Sequence, residues 1–293
     1  MIVVGVDGSP TGLAAADWAA REAVLRGVQL TVAHAVPDWV CRPLSGRYAE
    51  VGKWMRDGAT EVLGAAERLA RERGVEAGTE LVPGDPRAAL IKAAEEAELL
   101  VVGSSGLGGV RGLLLGSVAY GVAAHARTDV VLVREPHAEP RGEPRGEIVV
   151  GVDGSPGARR ALEFAFAEAE LRGVRLRAVE AWAWPRPTGF EPADPEAERE
   201  ALAALKKWLA GAREDHPGVE VVEEATHGHP VEVLREAATG AGLLVIGTRG
   251  HGTLKGMIIG SVSQAMLHHA PCPLAIVKVT SAESASPQVG DAY

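Results

Sequence analysis

Residues Leu99 to Ser117 read LLVVGSSGLGGVRGLLLGS, and residues Leu243 to Ser261 read LLVIGTRGHGTLKGMIIGS. Each copy opens with a short, wholly apolar run of the kind that forms a buried parallel strand. A glycine ends the run, a second follows three residues on, and a third stands just before a serine. In the first copy these are Gly103, Gly106, Gly116 and Ser117; in the second, Gly247, Gly250, Gly260 and Ser261. Glycines after a strand permit positive φ and close approach of a ligand. The serine opens an apolar helix, whose first N–H groups have no partner within the helix and suit an anion. Strand, glycine loop and helix N-terminus together read as a phosphate cradle. Glycine makes up 36 of 293 residues, so a single copy would carry little weight. Two copies in register carry much more.

The repeat runs through the whole chain. Gly5-Val6-Asp7-Gly8-Ser9-Pro10 returns as Gly151-Val152-Asp153-Gly154-Ser155-Pro156, an offset of 146 from Asp7 to Asp153. Gly84-Asp85-Pro86 returns as Gly228-His229-Pro230, now offset by 144. The two-residue slip falls in a variable helix between, where an indel is cheap. The spacing predicts two domains, 1–135 and 147–279, joined by a Pro-, Gly- and charge-rich linker at 136–146. A tail at 280–293 has no apolar period and is expected to be disordered.

Each half reads as strand, helix, strand, long amphipathic helix, strand, short helix, the glycine loop with its helix, and a last strand. In the first half these begin with Met1–Val6, a helix from Pro10 to about Gly27 and a strand Val28–Val36. Ser9 and Ser155 are natural N-caps, and Pro10 and Pro156 natural first helical residues. Alternating strands and helices imply a parallel sheet covered on both faces. Ligands bind such sheets beyond the strand carboxyl ends, where the strand order reverses. The Asp7 turn and the glycine loop meet there. The last strands, Val130–Val133 and Leu274–Val277, are apolar and uncharged, hazardous on an open edge. Mutual pairing across the linker is therefore expected.

Composition narrows the function. The chain is 46% hydrophobic and 24% charged, with a net charge of −9 and no basic block, which argues against a nucleic-acid or anionic-membrane surface. A start directly on a strand and the absence of a long apolar run lead us to expect neither signal peptide nor membrane span. The only cysteines, Cys41 and Cys272, fall one in each half, and suit a reducing cytoplasm.

The G-x-x-G, nine residues, G-S spacing after a Val-rich strand resembles the ATP-binding signature of the universal stress protein family. The V-D-G-S turns and the G-x-P before the third helix resemble the same family, over nearly all of both halves. The resemblance implies an α/β fold: two tandem, doubly wound, parallel five-stranded sheets of order 3-2-1-4-5, related by an internal pseudo-two-fold. It implies ATP as ligand, two adenine nucleotides per chain, with a metal ion such as Mg2+ bridging phosphates where present. It also implies a homodimer of whole chains and a regulatory role toward a protein partner. Carried over by position, Asp7 and Asp153 would contact the adenosine, following Gly5, Val6, Gly151 and Val152. The backbone at Ala35 and Ala181 would meet the adenine edge. Gly103, Gly106, Gly116, Ser117 and Val118, and Gly247, Gly250, Gly260, Ser261 and Val262, would hold ribose and phosphates. One departure stands out. Pro271-Cys272-Pro273 before the last strand has Arg127-Thr128-Asp129 as its counterpart in the first half.

Blander readings stand beside these. The aspartates could be turn residues, and the glycines could serve helix-on-sheet packing. Arg111 and Lys255 share a loop position and could touch a γ-phosphate or simply be solvated. His227, His229, His251, His268 and His269 lack partners at metal-ligand spacing. Trp18 and Phe164 read as core, and Cys272 as buried and inert. There is no Walker lysine motif and no nucleophile elbow, and no general base is evident for hydrolysis. A slow ATPase, or autophosphorylation at Ser117 or Ser261, is the alternative to a binding protein.

Overall fold

Ile2–Gly5 (β1) is four buried apolar residues followed by the Asp7 turn. In the computed structural model, which describes residues 1–42, 45–106, 115–134, 146–182, 195–248, 250 and 259–279, this strand lies in the middle of its half. The linker at 136–145, the tail at 280–293, and Arg111, Lys255 and His251 lie outside the described residues. Next come Pro10–Arg26 (α1), Leu30–Val36 (β2), Arg47–Glu72 (α2), Ala77–Pro83 (β3), Pro86–Ala93 (α3), Leu99–Gly103 (β4), Ser117–His125 (α4) and Asp129–Val133 (β5). The second half repeats them as Ile148–Gly151 (β6), Pro156–Arg172 (α5), Leu176–Trp182 (β7), Pro195–Asp215 (α6), Val221–His227 (β8), Pro230–Ala237 (α7), Leu243–Gly247 (β9), Ser261–His269 (α8) and Leu274–Val277 (β10).

The helix ends follow from single residues. Ser9 and Ser155 accept the N–H of Gly12 and Ala158 at 3.0 and 3.2 Å, and Gly27 and Gly173 close α1 and α5 at φ 65° and 63°. The second strand starts at Leu30 rather than Val28, because Val28 donates to Ala23 O and still belongs to the helix closure.

All strands within a half are parallel, and the halves join into one ten-stranded sheet of order β3-β2-β1-β4-β5-β10-β9-β6-β7-β8. Each half thus has the order 3-2-1-4-5. The expected pairing of the last strands is present. β5 and β10 run antiparallel, with Leu274 opposite Leu132, Ala275 opposite Val131 and Ile276 opposite Val130. All these residues are buried, and pairing removes two apolar edges at once.

The sheet separates two apolar layers. One, under α1, α2, α5 and α6, takes Ile2, Val4 and Val6 from β1 and its turn; the other, under α3, α4, α7 and α8, takes Val3. Strand alternation produces that division. Both layers contain residues of both halves. Ala15, Ala16, Ala19, Ala20 and Ala23 form the buried stripe of α1, and their small size lets that helix lie close to β4.

The sequence departure before β5 has a structural role. Asp129 accepts the backbone N–H of Lys278 at 2.7 Å and pairs with Arg160 at 3.2 Å, so a carboxylate of the first half ties down the end of β10. The equivalent Pro273 instead offers its carbonyl to Leu244 N at 2.9 Å. Cys272 is buried, and that burial pushes its thiol up to about 12, consistent with an inert thiol.

Candidate functional site

The turn after β1 is built on Asp7. Its Oδ1 accepts Ser9 N at 2.9 Å and Ser9 Oγ at 2.5 Å, while Gly8 supplies the positive φ of 83° that the turn needs. The other carboxylate oxygen is turned toward the glycine loop, since a Cβ on Gly106 would stand 2.7 Å from Asp7 Oδ2. Thr11, in the first turn of α1, fastens the loop from the other side. Its Oγ1 donates to Ser105 O at 2.5 Å, and Ser104 N bonds to Val133 O at 2.8 Å. The two segments that meet at the switch point are therefore held together by hydrogen bonds.

Four of the signature glycines, Gly103, Gly106, Gly247 and Gly250, are needed for space, not for left-handed backbone. None of Gly103, Gly106, Gly116, Gly247, Gly250 or Gly260 has positive φ; among their neighbours that role falls to Gly8 and Gly154 in the aspartate turns. A Cβ on Gly103 would come within 2.8 Å of the Thr11 carbonyl carbon, and one on Gly247 within 2.6 Å of the Gly157 carbonyl carbon. The expectation of positive φ at these glycines is thus corrected. At Gly103 and Gly247 the helix-on-sheet packing reading holds. Gly106 and Gly250 differ, because their added Cβ would meet the carboxylates of Asp7 and Asp153.

Between these parts lies a cavity of about 500 Å³, within the usual range for small-molecule sites. Gly5, Val6, Asp7, Ala35, Gly103, Gly106, Gly116, Ser117 and Val118, all singled out from sequence, line it. The lining also includes Gly12, His34, Pro86, Leu90, Val102, Ser105, Leu115 and Ala119, which sequence reasoning did not place. Pro86 belongs to the Gly84-Asp85-Pro86 motif and could have been found there; His34, next to Ala35 in β2, offered no local signal. His34 Nδ1 lies 2.8 Å from Val6 O, which holds the ring at the end of β1. The N-cap of α4 is Gly116, with no side chain to satisfy the first helical N–H groups. Ser117, Val118 and Ala119 thus open a helix onto the cavity with no side-chain cap, in contrast to Ser9 on α1.

The second half sets the corresponding residues in the corresponding places. Gly151 ends β6, Val152 and Asp153 form the turn, Ala181 lies in β7 and Gly247 ends β9. Gly260 N-caps α8, with Ser261 and Val262 as its first residues. Asp153 Oδ1 accepts Ser155 N and Oγ at 3.0 and 2.6 Å, as Asp7 does from Ser9. Three substitutions make this half different. Gly157 replaces Thr11, so the hydroxyl staple has no counterpart. Ser263 replaces Ala119 and donates to Gly247 O at 2.8 Å. Glu180 replaces His34, with an Oε2 that is buried and without a hydrogen-bond partner among the described residues. Burial, and then the nearby Asp153, push the Glu180 carboxyl up to about 7. Two residues on, the indole of Trp182 meets the His227 ring at 4.7 Å. His229 caps α7, accepting Val231 N at 3.3 Å.

Trp18 and Phe164 stand at equivalent positions, as expected, but their rings also carry a guanidinium each. Arg172 lies over Trp18 and Arg26 over Phe164, both at 5.8 Å from the ring centre.

The fold and this cleft define a class: tandem doubly wound α/β units joined through their fifth strands, each with an aspartate turn facing a glycine loop. A model of the universal stress protein family matches residues 1–134 and again 145–278. The chain is 36% identical over 284 residues to the universal stress protein Rv2005c of Mycobacterium tuberculosis, covering 94% of this chain and 96% of that one. It is 33% identical over 292 residues to Rv2623 of the same species, with the same coverage. Among solved structures, a universal stress protein from Archaeoglobus fulgidus superposes with a TM-score of 0.70 at 23% identity, covering 94% of this chain and 97% of that one. The chain belongs to the universal stress protein family, as a tandem member.

Proposed function

We propose that this chain binds ATP, one nucleotide in each half, and acts as a nucleotide-dependent regulatory protein rather than as an efficient enzyme. The observation that carries the reading is the convergence of all nine first-half residues chosen from sequence on one cavity of ligand size. Its chemistry fits the ligand. The helix N-terminus without a side-chain cap offers N–H donors and a favourable dipole to phosphates. Asp7 Oδ2 is an acceptor suited to ribose hydroxyls, and Ala35 with Val6 lines the base end. Leu90 and Pro86 supply an apolar wall.

Mg2+, when bound, would neutralise and bridge phosphate oxygens. Among the described residues, the titratable side chains lining the first cavity, Asp7 and His34, are both engaged in holding the turn, which favours retention over hydrolysis. Bound nucleotide would set the position of α4 and so change the surface a protein partner meets. The reading includes a cytoplasmic homodimer, whose assembly state sedimentation would decide.

The direct test is to heat-denature freshly purified protein and quantify the released nucleotide by chromatography and mass. The expected result is close to two adenine nucleotides per chain, mostly ATP. Mainly ADP would favour turnover. No nucleotide, together with no thermal shift on adding Mg–ATP, would overturn the binding claim.

A further inference from the structure

Each half sends one cation across the pseudo-two-fold. Arg134, the residue after β5, donates through Nη2 to Leu267 O in the last turn of α8, at 2.5 Å. Lys278, the residue after β10, donates through Nζ to Ala123 O in the last turn of α4. The two pairs are equivalent under the pseudo-two-fold: Arg134 and Lys278 differ by the repeat offset of 144, as do Ala123 and Leu267. The carbonyls of a helix's last turn have no helical partner, and a cation there also opposes the helix dipole. Lys278 is buried, at 7% exposure, so its ammonium is committed to protein acceptors and not to water.

The helices so gripped are the two that open on the proposed sites. α4 begins at Ser117, on the cavity wall, and ends its nine residues under Lys278. The cations, in turn, leave strands that hold the other site. Val277 O, one residue before Lys278, accepts both Thr248 N at 3.1 Å and Thr248 Oγ1 at 2.8 Å, at the start of the second glycine loop. Val133 O, before Arg134, accepts Ser104 N in the same way. One short connection therefore runs from the glycine loop of one half, through a strand end and a cation, to the phosphate-facing helix of the other.

We infer that Lys278 and Arg134 are positioning residues for the opposite half's site: Lys278 of the second half sets α4 for the first site, and Arg134 of the first half sets α8 for the second. The ligand part of this rests on the nucleotide reading above; the positioning of the helices does not. A residue that served only its own half would act on its own site. Cross-capping makes the opposite prediction, and it ties the occupancy of one site to the other.

The test uses the full chain with Mg–ATP as probe, and isolates one site at a time by placing a carboxylate at the mouth of the other. In a Ser261→Glu background, Lys278→Met is expected to weaken the first site about three- to thirty-fold, the span expected of a partly buried cation at a helix end. Lys278→Arg should restore it. In a Ser117→Glu background, Lys278→Met should change the second site less than about two-fold. Amide hydrogen exchange supplies a readout independent of ligand: Lys278→Met should speed exchange in Ser117–His125 and leave Ser261–His269 unchanged, with Arg134→Met giving the reverse. Unchanged exchange in Ser117–His125, or an affinity loss confined to the second site, would overturn the inference. If the wild-type chain binds no Mg–ATP, the nucleotide reading fails, and the exchange comparison alone still decides the cross-capping.

Discussion

Arg26 near the end of α1 is bonded to Glu168 on α5, and the pseudo-two-fold returns the pairing as Arg172 to Glu22. Each arginine also bonds the glutamate one turn back on its own helix, so two carboxylates and two guanidiniums close a ring across the junction. Both glutamate side chains are almost fully buried, at 1% and 3% exposure. Burial, with the neighbouring Glu22 next, raises the Glu168 pKa, against the pull of Arg172 and Arg26. Removing one member leaves buried charge without compensation, which costs about 3–5 kcal/mol. Glu168→Ala should therefore lower unfolding stability by roughly that amount, measured by urea titration. Replacing the whole ring, Glu22→Leu and Glu168→Leu with Arg26→Met and Arg172→Met, should recover part of the loss, because replacing all partners by apolar groups can be close to neutral. A loss under about 1 kcal/mol in the single variant would show the ring behaving as a surface pair.

The three glycine positions of the first loop should respond differently to the same added methyl. At Gly103 the Cβ meets α1 backbone at 2.8 Å, which cannot move cheaply. Gly103→Ala should cost about 1–3 kcal/mol of stability through overpacking. At Gly106 the obstacle is the Asp7 carboxylate at 2.7 Å, a side chain able to shift. Gly106→Ala should leave the melting temperature nearly intact and weaken Mg–ATP at the first site about ten-fold or more, by displacing one hydrogen-bonding group. At Gly116 the nearest atoms are 3.5 Å away, ordinary contact, so Gly116→Ala should fold normally. Thermal melts with paired nucleotide titrations check all three. Equal destabilisation at the three positions would contradict the geometry.

The helix caps, the parallel order and the β5–β10 junction were legible because each depends on local residues or on apolar patterning. Ser9, Pro10 and Gly27 announce α1, and two uncharged last strands require cover. The lining of the first cavity was legible for a related reason, since the repeat named residues at two strand ends that a doubly wound sheet brings together. The signature glycines take no positive φ, which the sequence had led us to expect. Close approach and positive φ leave the same letter in a sequence, and only the position of Thr11 or Asp7 in space separates them. The charge ring and the Lys278 and Arg134 caps join residues more than a hundred positions apart, set by the pseudo-two-fold rather than by any motif. Glu180 was invisible for the opposite reason, because aligning it with His34 gives no hint that one of its carboxylate oxygens lies buried.

Glu180 gives the second half a pH dependence of definite sign. Its carboxyl, ordinarily near 4.5, is raised to about 7, first by burial and then by Asp153. Between those two values the folded chain keeps a proton that the unfolded chain has released. Stability from this group is therefore full below about pH 4.5 and is lost as pH rises through about 7. Glu180→Gln removes the ionisation while keeping the shape. It should raise the denaturation midpoint relative to wild type at pH 8, and change it little at pH 4, where Glu180 is protonated in both states. Asp129 and Glu168 are also raised, chiefly by burial, so the variant should retain a residual fall in stability with rising pH, shallower toward pH 7. Urea midpoints at pH 4, 6 and 8 for the two proteins separate the contributions. An equal gain at pH 4 and pH 8 would mean that Glu180→Gln acts through packing, and that the carboxyl does not titrate in this window.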